Sequence, residues 1–306
     1  MAQLKHIAAA IAAASVMGVA NAAPTIEFDG EVAFESSYVD QDGSSSQVVL
    51  DTADFNITAT EGNVSAFIAM DAAGDVTTDS AGLEYKINDN YTVFAQYDDT
   101  YIAFTKNSMK WNDTLSDTLV DHDGATMTGV KISGGPISST LYLTNGTDGD
   151  NEDDLQEFGS KVQYSHEKFN AAFGYISVAN GTGGQGAFSL AGDVALGGVT
   201  LAAEYNWLSD EVSGEEPTFL QVAANYEMNG YSLTASYETV DEGQVLGELN
   251  SDGDFDANEL IEDRIALAVD KSITDALWVS AELDFDSFAD DSDDATSLYL
   301  AVGFTF

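Results

Sequence analysis

From Thr25 onward the chain alternates apolar and polar residues in runs of roughly eight to fourteen, separated by short polar breaks. In the first run, Thr25 to Tyr38, Ile26, Phe28, Val32 and Phe34 fall on one face and Glu27, Asp29, Glu31 and Glu35 on the other, the period of two that a pleated strand imposes. Four carboxylates on one strand face cannot enter a dry core unpaired, so that face is expected to be wet. Later runs repeat the division. Val199, Leu201, Ala203, Tyr205 and Trp207 oppose Thr200, Ala202, Glu204 and Asn206, and Leu277, Val279, Ala281, Leu283 and Phe285 oppose Trp278, Ser280, Glu282 and Asp284. The last run ends with Leu298, Leu300, Val302, Phe304 and Phe306 on a single apolar face.

Sixteen such strands are predicted, at 25–38, 50–60, 63–71, 80–87, 90–98, 124–133, 136–145, 156–165, 168–178, 186–196, 199–208, 218–227, 230–240, 261–271, 276–287 and 295–306. Tight turns such as Glu61-Gly62, Asn88-Asp89, Gly134-Gly135, Gly197-Gly198 and Met228-Asn229 carry hairpin residues and alternate with longer connections at 39–49, 72–79, 99–123, 146–155, 179–185, 209–217, 241–260 and 288–294. Short and long connections in strict alternation are what an up-and-down barrel requires. Tyr91 and Tyr97, Phe169 and Tyr175, and Tyr231 and Tyr237 sit near the ends of apolar faces, as two interfacial aromatic girdles would. The predicted fold is an all-β, transmembrane, antiparallel up-and-down β-barrel of 16 strands. Residues 101–104 could add a further short strand.

Charge and composition narrow the function. Fifty-three acidic residues against nine basic ones leave a net charge of -44, which excludes nucleic acid as a partner because phosphate binding needs a basic footprint. There is no cysteine, hence no disulfide framework or thiolate metal site. Residues 1–22 read as a secretory signal peptide, with Lys5 before an apolar stretch from Ile7 to Ala20 and a small-x-small site at Ala20-Asn21-Ala22, leaving 23–306 as the barrel domain. No serine–histidine–acid arrangement, zinc spacing or phosphate loop stands out, so catalysis is not expected and no cofactor is required.

Over essentially all of 23–306, the signal peptide, sixteen strands, long third loop and final Phe306 together resemble the general diffusion porins of Gram-negative outer membranes. The resemblance implies a homotrimer of water-filled barrels in the outer membrane, in contact with lipid and lipopolysaccharide and passing small hydrophilic solutes. It implies recognition of Phe306 by the barrel assembly machinery, and a third loop folded into the lumen as a constriction. The constriction set is then Asp99, Lys106, Lys110, Asp113, Asp117 and Asp121 in loop 99–123, facing a wall cluster drawn from Lys86, Lys131, Lys161 and Arg264.

Strand parity places Glu27, Asp29, Glu31, Glu35, Asp54, Glu84, Asp193, Glu204, Glu227, Glu238, Glu282 and Asp284 in the lumen against those four cations. Such a lumen should prefer cations. Salt adaptation would enrich the same acids without any selectivity. A substrate-specific channel is the alternative of the same class, with Phe67, Phe94, Tyr142 and Trp278 as a sugar slide. A secreted calcium-binding β protein is the alternative of another class. It draws on Glu248, Asn250, Asp252, Asp254, Asp256 and Glu259, whose spacing is similar to an EF-hand loop with Glu at its first position. An ordinary acidic loop is the stronger reading of that stretch.

Overall fold

The computed structural model describes residues 24–40, 44–73, 76–98, 125–145, 156–180, 183–210, 218–240, 261–288 and 294–306. The signal-peptide stretch, loop 99–123 with its residues 101–104, and the 248–259 stretch lie outside the described residues.

Sixteen strands run in order: β1 Thr25–Asp40, β2 Ser44–Glu61, β3 Val64–Asp71, β4 Thr77–Asn88, β5 Tyr91–Asp98, β6 Ala125–Gly134, β7 Ile137–Asn145 and β8 Gln156–His166, then β9 Phe169–Asn180, β10 Gly183–Leu196, β11 Val199–Asp210, β12 Thr218–Met228, β13 Tyr231–Val240, β14 Ile261–Ser272, β15 Leu277–Phe288 and β16 Ala295–Thr305. Each pairs antiparallel with its sequence neighbours, and β16 returns to β1, so the sheet closes into a barrel. Closure leaves no edge, which is the condition for placing β-structure in hydrocarbon. At the seam the Gly30 N–H donates to the Phe306 carbonyl at 3.1 Å and the Phe306 N–H donates to the Gly30 carbonyl at 3.0 Å. The Phe306 ring lies over Gly30, with ring centroids 5.7 Å from Phe28 and 6.0 Å from Phe55.

Several boundaries differ from the sequence expectation. The predicted loops at 39–49 and 179–185 are largely ladder: Tyr38 pairs with Ser46, Asp40 with Ser44, and Gln185 with Val178. Ser44-Ser45-Ser46-Gln47 and Gly183-Gly184 show no apolar alternation, yet backbone pairing needs none. The hairpins at 62–63, 89–90, 135–136 and 229–230 also sit one residue later than predicted. At three of them the backbone explains it: Asn229 and Gly230 both have positive φ, the signature of a type I′ turn, while Gly62 and Gly135 supply the positive φ that a II′ turn needs at its first loop residue.

The faces are inverted relative to a soluble β protein. Leu300, Val302, Phe304, Leu201, Tyr205, Leu267 and Phe285 are exposed on the outside, whereas Glu204, Asn206, Gln221 and Glu238 are almost wholly buried on the inside. Among the described residues the clustered apolar core amounts to Ala202 and Ala223. A chain that turns its large apolar side chains outward is stable only in an apolar solvent. No helix among the described residues is long and apolar enough to span a membrane.

Candidate functional site

Register carries the inward parity from strand to strand. Asp29 faces Asn56, whose Nδ2 donates to its Oδ1 at 2.9 Å, and Asn170 Nδ2 donates to both oxygens of Asp193 at 3.0 and 2.9 Å. The lumen therefore presents the carboxylates expected from parity, and it presents all four cations as well.

Those cations do not form one cluster. Lys86 pairs with Asp89 at 2.9 Å beside the 89–90 turn, at the rim. Lys131 on β6 pairs with Glu84 on β4 and lies 5.3 Å over the Phe94 ring. Arg264 on β14 is about half a turn of the ring from β6. It makes a two-armed bond with Asp286, Nε at 2.7 Å and Nη2 at 3.3 Å, and is only 8% exposed. Lys161 also faces inward on β8, across from Thr140 and Gly174. The loop members Asp99, Lys106, Lys110, Asp113, Asp117 and Asp121, and the calcium candidates Glu248, Asn250, Asp252, Asp254, Asp256 and Glu259, lie outside the described residues.

A polar row on β10 to β15 is the densest feature of the wall. Ser189 Oγ donates to Glu204 at 2.9 Å, and Gln221 Nε2 donates to Glu238. In register, Glu204 meets Gln221, Gln221 meets Glu238, Glu238 meets Arg264, and Arg264 meets Asp286. One inward residue from each of six consecutive strands thus joins a continuous belt. Sequence reasoning placed Glu204, Glu238, Glu282, Asp284 and Arg264 inside but gave no role to Ser189, Asn206, Gln221 or Asp286. Parity alone could have placed them; which of them touch could not be read without the register.

The four lumen aromatics are also where parity put them, but their rings lie over glycines. Phe67 covers Gly82, Phe94 covers Gly129, Tyr142 covers Gly159 and Trp278 covers Gly303; a Cβ on Gly159 would stand 2.0 Å from the Tyr142 ring. Phe94 and Tyr142 are buried, so they line the wall as packing rather than as faces offered to a solute.

A closed sixteen-strand barrel with a polar, acidic interior and an apolar exterior invites comparison with known channels. The model of the Gram-negative porin family matches residues 8–261. The chain belongs to the Gram-negative porin family. Solved structures agree on the fold. OmpF of Salmonella typhi, in complex with daunomycin, superposes with a TM-score of 0.70 at 13% identity, covering 94% of this chain and 99% of that one. DcaP, an outer membrane channel of Acinetobacter baumannii, gives 0.67 at 13% identity, covering 94% and 99%. An anion-selective porin from Comamonas acidovorans gives 0.67 at 12% identity, covering 92% and 100%. No curated protein sequence matches. As a porin the chain is an outer-membrane protein, and the comparisons favour a channel over an enzyme. The neighbour that prefers anions shows that this backbone does not dictate the sign of selectivity, which then depends on the wall's side chains.

Proposed function

We propose that this porin is a water-filled, cation-preferring channel for passive diffusion of small hydrophilic solutes and ions. The observation that carries the reading is the charge of the lumen wall: the twelve carboxylates from Glu27 to Asp284 named from the sequence share the inward face with Asp71, Asp270 and Asp286, while Lys86, Lys131 and Arg264 are each held by a carboxylate. Fixed charge of one sign inside a low-dielectric wall concentrates counter-ions of the other. Burial of the belt on β10 to β15 supports a lumen that is not evenly wide, and residues 99–123 are the segment long enough to narrow it.

The trimer, the contacts with lipopolysaccharide and the use of Phe306 as an assembly signal rest on the family resemblance. Cleavage after residue 22 rests on the amino-terminal pattern. Calcium binding at 248–259 is a separate proposal resting on ligand spacing. The deciding experiment is reversal potential in planar bilayers under a potassium chloride gradient. A potential of the sign set by potassium is expected; one set by chloride overturns the selectivity, and absence of conductance overturns the channel.

A further inference from the structure

We propose that the upper edge of β2, from Ser44 to Leu50, docks an extended polypeptide segment bearing lysine or arginine that reaches the barrel from the side of the long loops. β2, with 18 residues, is the longest described strand, and it outruns its neighbour. Its ladder with β3 begins only where Asp54 meets Asp71, next to one bond from the Ala72 N–H to the Ala53 carbonyl. Toward its amino end β2 pairs with β1 alone, as far as Ser44 opposite Asp40. The sheet is thus closed around the wall and carries an edge on this rim.

The direction of the backbone groups follows from the seam. Gly30 exchanges both its bonds with Phe306, so the even residues of β1 face β16 and the odd ones face β2. Glu35, Ser37 and Val39 therefore take up the N–H and C=O groups of Val49, Gln47 and Ser45, while those of Ser44, Ser46, Val48 and Leu50 point away from β1. Among the described residues none pairs with that second set. Residues 44–49 are exposed, Val48 by 74%. Natural edges are guarded by lysine, proline or a covering element, yet Ser44-Ser45-Ser46-Gln47-Val48-Val49-Leu50 has neither charge nor proline. Such an edge accepts an added strand, main chain to main chain.

Charge selects the occupant. β1, β2 and β3 hold no lysine or arginine, and Asp71, Asp79, Glu31 and Asp51 lie near enough to Asp54 to act on its charge at the foot of the edge. Asp54 and Asp71 face inward, whereas Ser46 and Leu50 face outward with Tyr38 and Phe34, and Val48 shares that face. An added strand that matches both faces alternates basic residues inward with apolar ones outward. A second copy of this chain, at a net charge of -44, is the poorer fit. Docking here involves the rim and does not depend on the cation preference proposed above.

The test uses the full chain, folded in mild detergent, and a fluorescent octapeptide of alternating lysine and valine followed by anisotropy. Saturable binding that weakens with salt is expected. Val48→Pro removes an N–H that β1 does not use, so heat-modifiable mobility should be kept while affinity falls about tenfold or more. Ser46→Pro, at the next such N–H, should do the same. Val48→Ala keeps the N–H and should bind within about threefold of the parent. A peptide methylated on its backbone nitrogens, or one with serine for lysine, should bind about tenfold more weakly or worse. No saturable binding by the parent, undiminished affinity in both proline variants, or equal binding of either control peptide overturns the proposal. Self-association of the parent without peptide, abolished by Val48→Pro, gives the edge to a second copy and overturns it as well.

Discussion

Arg264 shows how much depends on single partners inside this barrel. Its guanidinium and the Asp286 carboxylate are both nearly inaccessible, and each makes the other tolerable there. Removing one partner of a buried pair costs about 3–5 kcal/mol, mostly from the charge left behind. Arg264→Ala should therefore lower the midpoint of heat modification in detergent clearly, while Arg264→Met with Asp286→Leu should return most of the loss. Equal midpoints for Arg264→Ala and the parent would show the pair to be hydrated. Gly159 makes a steric prediction on the opposite wall. Since a Cβ there would overlap the Tyr142 ring, Gly159→Ala should cost about 1–3 kcal/mol and push the ring into the lumen, lowering single-channel conductance. Gly159→Ala with Tyr142→Ala should recover stability, because the clash needs both side chains.

β16 shows what one strand does. Its odd residues, among them Ser297, Tyr299 and Gly303, line the lumen, and its even ones, Leu298, Leu300, Val302 and Phe304, face outward; its ladder with β1 closes the ring. A cation on the outer face near the bilayer midplane costs about 2–4 kcal/mol, falling toward the interfaces. Leu300→Arg should thus reduce the yield of heat-modifiable barrel in membranes, while Ala301→Ser, one residue on and facing the lumen, should not. Similar yields would mean the two faces are misassigned. The faces themselves were legible from alternation, because successive side chains of a strand point to opposite sides whatever the fold. Strand ends were not. Ser44–Gln47 pair by backbone alone, and their side chains carry no trace of it. Bulges were invisible for a related reason: Phe34 pairs with Leu50 and Ala33 with Thr52, leaving Asp51 as the extra residue, which no composition rule marks.

At the scale of the whole barrel, the charge of the lumen is a property no single carboxylate has. If fixed wall charge sets selectivity, the preference must weaken as salt screens it, since the Debye length falls from about 10 Å at 0.1 M to about 3 Å at 1 M. Reversal potentials measured at a constant concentration ratio should show cation preference shrinking over that range. A preference independent of salt would assign selectivity to pore size instead.

Period-two alternation, hairpin residues and the acidic excess are local or additive, so the chain's sequence by itself determined the strand number, the inside and outside of each strand and the sign of the lumen. Tertiary structure alone decided which inward residues meet. Lys131 and Arg264 look alike as inward cations, yet ring closure sets them about half a turn apart, each beside its own acid. Glu204, Gln221 and Glu238 lie far apart in sequence and become neighbours because the registers of β11 with β12 and of β12 with β13 bring them into line. A strand's own geometry dictates its faces, whereas register is a relation between strands, and a slip of one residue would have broken every contact in that row.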